Sequence, residues 1–83
     1  MTVKIPGYTT LSGQPATILR LMQDARMFDA DGTPDEYIAK IKQAAWRFYG
    51  IPLNVTGDTI AARAESLLRE MSRHGMIEII DNE

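Results

Sequence analysis

Cysteine is absent from all 83 residues, and histidine and tryptophan occur once each. Without cysteine there is no disulfide to staple a small core, and no thiolate for catalysis or metal ligation. Small secreted domains usually compensate for thin cores with disulfides, so the sequence points to a cytoplasmic protein. The lone histidine, His74, excludes a multi-histidine metal site, and no acidic cluster suggests a carboxylate one. No apolar run approaches the roughly 20 residues of a membrane helix. No N-terminal run joins positive charge to an apolar stretch, so no secretory signal is expected. Neither sign of charge dominates, and the net value is −2. That disfavours nucleic acid, whose non-specific affinity comes mostly from Lys and Arg neutralising phosphates. A local basic face on an acidic domain stays open.

Motifs for chemistry are also missing. The glycines fall in loops or at element boundaries, and no phosphate-cradling run of the G-x-G-x-x-G or G-x-x-x-x-G-K type exists. Asp29-Ala30-Asp31-Gly32 looks superficially like a calcium loop. Such a loop needs glycine at its sixth position and glutamate at its twelfth; counted from Asp29, glycine comes fourth and the twelfth residue is Lys40. The segment reads as a turn between helices. Ser72 lies two residues from His74, and side chains at that spacing do not face each other on a helix. No catalytic triad is indicated, and the sequence predicts a non-enzyme without cofactor or metal.

What is present is helical periodicity. A chain this short forms one domain, here residues 1–83, with a thin core. A 45% hydrophobic content supports folding throughout, except for fraying at Met1-Thr2 and Asp81-Asn82-Glu83. Thr2 to Ile5 alternate in period two before Pro6-Gly7, which predicts a short strand and a turn. Tyr8 to Ser12 are polar and read as loop. A first helix is expected to begin near Ser12 to Pro15 and to end close to Phe28, with Ile18, Leu21, Met22, Ala25 and Phe28 on one face.

The second helix has the clearest start. Thr33-Pro34-Asp35-Glu36 places Thr at the N-cap, Pro at the first position and Glu at the third, which is a capping box. Its inward stripe is read as Tyr37, Ile38, Ile41, Ala44, Ala45, Phe48 and Tyr49. Gly50 and Pro52 end it, and Trp46 is expected to touch Ile51 across that ending. Residues 51–57 form a connector that packs on the bundle. A third helix begins at residues 56–58, with Ile60, Ala61, Ala64, Leu67, Leu68 and Met71 inward. Gly75 ends it and pairs Met71 with Met76. Residues 76–80 then form a strand. The expected fold is mainly α: a compact three-helix bundle with short terminal strands that pair with each other.

Three surfaces are candidates for function. Trp46 lies about 80–100° from the centre of its helix's apolar stripe, so with Tyr49 it is a candidate aromatic anchor. Ile77 and Ile79 join them as apolar residues of a strand whose edge is a template for pairing. The five methionines suggest core filling first and an adaptable methionine-rich groove second. The favoured reading is a small interaction or regulatory module, binding another protein or itself as a homodimer.

The third surface is the outer face of the last helix. Ile60, Ala64, Leu67, Leu68 and Met71, followed by His74-Gly75-Met76-Ile77-Glu78-Ile79, resemble the recognition helix and wing entry of winged-helix DNA-binding domains. The resemblance covers residues 58–80. It implies a helix-turn-helix whose recognition helix enters the major groove, with Thr59, Arg63, Ser66, Arg69 and Arg73 as the contact face. On the same face Glu65 precedes Arg69 by four residues and Glu70 precedes Arg73 by three. Such pairs are worth a few tenths of a kcal/mol each, which reads as a self-neutralised surface. DNA binding is therefore the alternative function.

Overall fold

A computed structural model describes residues 1–81. The order is β1 (Thr2–Lys4), β2 (Thr10–Ser12), α1 (Pro15–Asp24), α2 (Pro34–Tyr49), α3 (Ile60–Arg73) and β3 (Glu78–Asp81). Three helices thus pack with a small antiparallel sheet of order β2-β1-β3. The terminal strands do pair: Val3 lies opposite Ile79 and Lys4 opposite Glu78, with a register irregularity between Thr2 and Val3.

The sheet holds a strand that the sequence reading leaves as loop. The Ile5 amide donates to the Thr9 carbonyl at 2.8 Å and the Tyr8 amide to the Ile5 carbonyl at 3.0 Å, closing a hairpin after Pro6-Gly7. β2 then runs against β1 with Leu11 opposite Val3. A two-stranded ribbon is marginal in water, and β2 supplies the third strand. It also ties down the N-terminus, expected to fray: the Met1 amine donates to the Gly13 carbonyl at 3.1 Å, and the Gly13 amide to the Met1 carbonyl at 2.9 Å. Of the C-terminal residues expected to fray, Asn82 and Glu83 lie outside the described residues.

α1 stops four residues short of Phe28. The Arg26 amide reaches the Gln23 carbonyl at 3.0 Å and the Met27 amide the Met22 carbonyl at 3.1 Å. This is a Schellman ending, which needs a left-handed residue. Glycine usually fills that slot, but here Arg26 does, at φ 56°, and Phe28 follows at φ 60°. Helical spacing continued to Phe28, so periodicity alone did not reveal the turn.

α2 begins with both bonds of the capping box: Thr33 N–H to Glu36 Oε1 at 2.9 Å, and Glu36 N–H to Thr33 Oγ1 at 3.2 Å. Its buried face is Tyr37, Ile38, Ile41 and Ala45. Phe48 and Tyr49 continue that wheel but are 74% and 66% exposed, because the helix outruns the core. Trp46 is 63% exposed and stands outside the core against which Ile51 packs. At this ending the Gly50 amide bonds the Trp46 carbonyl at 3.0 Å and the Ile51 amide the Ala45 carbonyl at 3.1 Å.

α3 is capped by Thr59, whose hydroxyl accepts from the Ala62 amide at 3.1 Å. It starts at Ile60, later than expected, because the cap is Thr59 itself. Ala64, Leu67, Leu68 and Met71 are buried while Ala61 is exposed. Gly75, at φ 77°, closes it. The Met76 amide bonds the Met71 carbonyl at 2.8 Å and the Gly75 amide the Ser72 carbonyl at 3.0 Å, so the expected Met71–Met76 ending forms. Leu53 of the connector is buried, and Ile51 and Val55 pack against the same core. Asn54 N–H to Glu70 Oε1 and Thr56 N–H to Ser66 Oγ, both 3.0 Å, hold the connector on α3.

Candidate functional site

The endings of the three helices leave an apolar groove of about 360 Å³ beside the N-terminal hairpin. Its floor is Met22, Met71 and Ile77, all buried. Met27, Met76 and Ile51, each half-buried, form its walls. Phe28, Tyr49 and His74 stand at the exposed rim. Four of the five methionines therefore meet here. Methionine is flexible and polarisable, so such a wall adapts to different apolar shapes.

The rim is built by the turn after α1. Tyr37, buried on α2, donates its hydroxyl to the Met27 carbonyl at 2.7 Å. Burial pushes that hydroxyl well above the ordinary tyrosine value. Lys40 Nζ holds the following residues through the Asp31 carbonyl at 2.7 Å and Asp29 Oδ1 at 3.3 Å. Gln23 Nε2 bonds the Ala30 carbonyl at 2.8 Å and the Gly32 carbonyl at 2.9 Å. Five side-chain bonds thus fix a turn that carries two non-glycine residues in left-handed conformation. Each such residue costs about 1–3 kcal/mol, and strain of this kind clusters at ligand clamps and switch regions.

Phe28 and Tyr49 are shared with a second recess of about 360 Å³, which Phe48, Arg47, Lys40 and Asp29 also line. The Arg47 guanidinium lies 5.9 Å from the centroid of the Phe48 ring. Of the residues singled out for interaction, Tyr49 and Ile77 come together at the groove. Trp46 is exposed on α2 but lines neither recess. Ile77 is floor rather than surface, and Ile79 is half-buried against the core. Ile80 is the exposed apolar residue of β3, at 56%.

The outer face of α3 is organised differently. Arg63 is bidentate to Asp35 of α2, with Nε–Oδ1 at 2.8 Å and Nη2–Oδ2 at 3.1 Å. Arg69 pairs with Glu65 at 3.0 Å and Arg73 with Glu70 at 3.2 Å. Thr59 is occupied as a cap, and Ser66 accepts from the connector. A polar depression between these groups is lined by Asn54, Ser66, Arg69 and Glu70. The Glu70 carboxyl is held below its usual range by the Asn54 amide first, with Arg73 adding to it.

The sequence reading did not single out Met27, Met76 and Phe48 as a surface, nor Phe28, which it placed on a helix's inward face. The richness in methionine was the one available signal. Among the described residues, no buried side-chain nitrogen or oxygen lacks a hydrogen-bond partner. No group of three or more His, Asp or Glu side chains among them is placed to hold a metal ion, and no helix among them is long and apolar enough to cross a membrane. No protein family, curated protein or solved structure matches this chain.

Proposed function

We propose that this protein is a small, non-enzymatic interaction module of the cytoplasm that holds a protein partner in the methionine-lined groove. The observation that carries the reading is the standing of exposed Phe28 and Tyr49 over a floor of buried methionine, with exposed Phe48 lining the adjoining recess that shares both. Exposed apolar patches of this kind mark interaction sites. Burying one such aromatic side chain is worth about 1.5–3 kcal/mol, and association itself costs at least about 4 kcal/mol. Three aromatics together therefore support weak to moderate binding. The strain held at the rim gives independent support, since the fold keeps Phe28 outward at an energetic cost.

A photo-crosslinking residue at position 49, compared with one at position 10 on β2, tests this in the native cell. A discrete adduct from position 49 alone, lost on Phe28→Ala, is expected. Equal adducts from both positions, or none, would remove the reading.

Self-association is a second form of the same reading. It is favoured by the outer edge of β3, which among the described residues is unpaired in the sheet and carries exposed Ile80. A monomeric mass at high concentration by light scattering would eliminate it. DNA binding through Thr59, Arg63, Ser66, Arg69 and Arg73 rests on the winged-helix resemblance. The carboxylate beside each of those arginines weighs against it.

A further inference from the structure

Two helices end on methionine in the same way. At the end of α1 the Met27 amide bonds the Met22 carbonyl at 3.1 Å, and at the end of α3 the Met76 amide bonds the Met71 carbonyl at 2.8 Å. A Schellman ending commonly brings the side chains at those two positions into hydrophobic contact. Each wall methionine of the groove is thus tied to a floor methionine of its own helix. The two tiers differ in access. Met22 and Met71 are 0% and 1% exposed, whereas Met27 and Met76 are half-buried at the opening. The chain has no cysteine, so no thiol of its own competes for an oxidant. Among the described residues lining the groove, only Tyr49 and His74 carry side-chain donors, and both stand at its exposed rim.

Given that the groove is the docking site, we propose that Met27 and Met76 are a paired oxidation site through which a peroxide closes it. The thioether sulfur attacks one peroxide oxygen, the O–O bond breaks and an S–O bond forms. Sulfur loses two electrons and the peroxide gains them; from hydrogen peroxide the second oxygen leaves as water. The product is a sulfoxide, polar where the thioether was apolar. Its oxygen accepts hydrogen bonds but meets no donor against the floor, so it turns to water and the rim. The wall then loses the adaptable apolar surface that methionine supplies. Met22 and Met71 stay reduced while the fold is intact, because susceptibility follows exposure. A thiol-dependent sulfoxide reductase reverses the change: two thiols become a disulfide, and the oxygen leaves as water.

Dilute hydrogen peroxide on the full chain, followed by peptide mass spectrometry, tests the order of reaction. Met27 and Met76 should each gain one oxygen at least about fivefold faster than Met22 and Met71. Helical circular dichroism should be unchanged at that stage. The consequence is read with peptides free of methionine and cysteine, selected from a random displayed library on the reduced chain and counter-selected on Phe28→Ala. Once peroxide is removed, their affinity by fluorescence polarisation should be about tenfold weaker for oxidised wild type. Reductase should restore it. The double variant Met27→Leu, Met76→Leu keeps an apolar wall of similar volume. The same treatment should leave its affinity within about twofold, although Met1 remains open to oxidation. Three results would overturn the proposal and leave the groove reading standing: floor methionines that oxidise as fast as the wall pair, helicity lost with the first oxygens, or an unchanged affinity for oxidised wild type. If the selected peptides do not shift the methyl resonances of Met27 and Met76 in the reduced chain, both fail.

Discussion

The Tyr37 hydroxyl, buried on α2, donates to the Met27 carbonyl at 2.7 Å and so pins the turn that forms the groove rim. A buried acceptor left without its donor is costly, and a typical net loss is about 0.5–1.5 kcal/mol. Tyr37→Phe should therefore lower stability by about 1 kcal/mol in urea denaturation at neutral pH. The pH dependence follows from burial, which raises the folded pKa above the ordinary value of 10.0. Stability from the neutral hydroxyl is present below that value and is lost as pH rises above it. Wild type and Tyr37→Phe should converge in alkaline solution. A gap that stays constant through that range would contradict the assignment.

Acid acts through two carboxylates, the exposed Glu36 and the largely covered Glu70. Glu36 is held below its usual 4.5 by the backbone N–H of Thr33 first and the Thr33 hydroxyl second. Glu70 is lowered first by the Asn54 amide, which it holds for the connector. Because the folded values are depressed, this stability is present above the unfolded value and is lost as pH falls through the folded one. Glutamine keeps an acceptor at either position without the charge. Glu36→Gln and Glu70→Gln should each flatten the loss of stability below pH 4.5. Unchanged acid slopes in both variants would show that other groups govern acid unfolding.

Local signals and distant packing differ in how much they reveal. The capping box at Thr33 and Glu36, the Gly75 ending and the pairing of terminal strands were all legible, since each depends on residue types at fixed spacing. β2 was not, because Thr10-Leu11-Ser12 has one apolar residue and no visible alternation. The end of α1 was hidden because an arginine occupies a slot that glycine normally marks. Phe48 and Tyr49 sit on the correct helical face, yet a wheel carries no information about where the core stops. The groove lies where these three ambiguities meet: one helix ends early, another runs long, and a hairpin closes the side. Its methionines could be counted in advance but not gathered.

Arg63 and Asp35 link α3 to α2 by two hydrogen bonds, with side chains 30% and 58% exposed. A partly exposed bidentate pair should show a coupling of about 0.5–1 kcal/mol in a double-mutant cycle with Arg63→Ala and Asp35→Ala. The same pair separates the two functional readings. If α3 reads DNA, Asp35→Asn frees Arg63 and should tighten duplex binding at low salt. If the face is self-neutralised, neither wild type nor Asp35→Asn should shift mixed duplex at about 50 mM salt. Strong binding by wild type that falls steeply with salt would favour the DNA reading.

The left-handed residues Arg26 and Phe28 offer a test of what the strain is for. An L-residue in that region costs about 1–2 kcal/mol, while glycine there costs little in the fold but frees the unfolded chain. The net gain for Arg26→Gly should be about 0.5–1 kcal/mol. The Arg26–Asp31 pair that it loses is 73% and 77% exposed and contributes little. Arg26→Gly should therefore melt higher and bind groove-directed peptides as wild type does. Phe28→Gly relieves the same strain but removes a rim side chain that is 37% exposed. It should be about as stable as wild type and bind such peptides roughly tenfold more weakly, about 1.4 kcal/mol. Thermal melts and fluorescence polarisation on the two variants decide the matter. A large loss of stability in Phe28→Gly would assign Phe28 to the core, and its strain would then serve packing rather than binding.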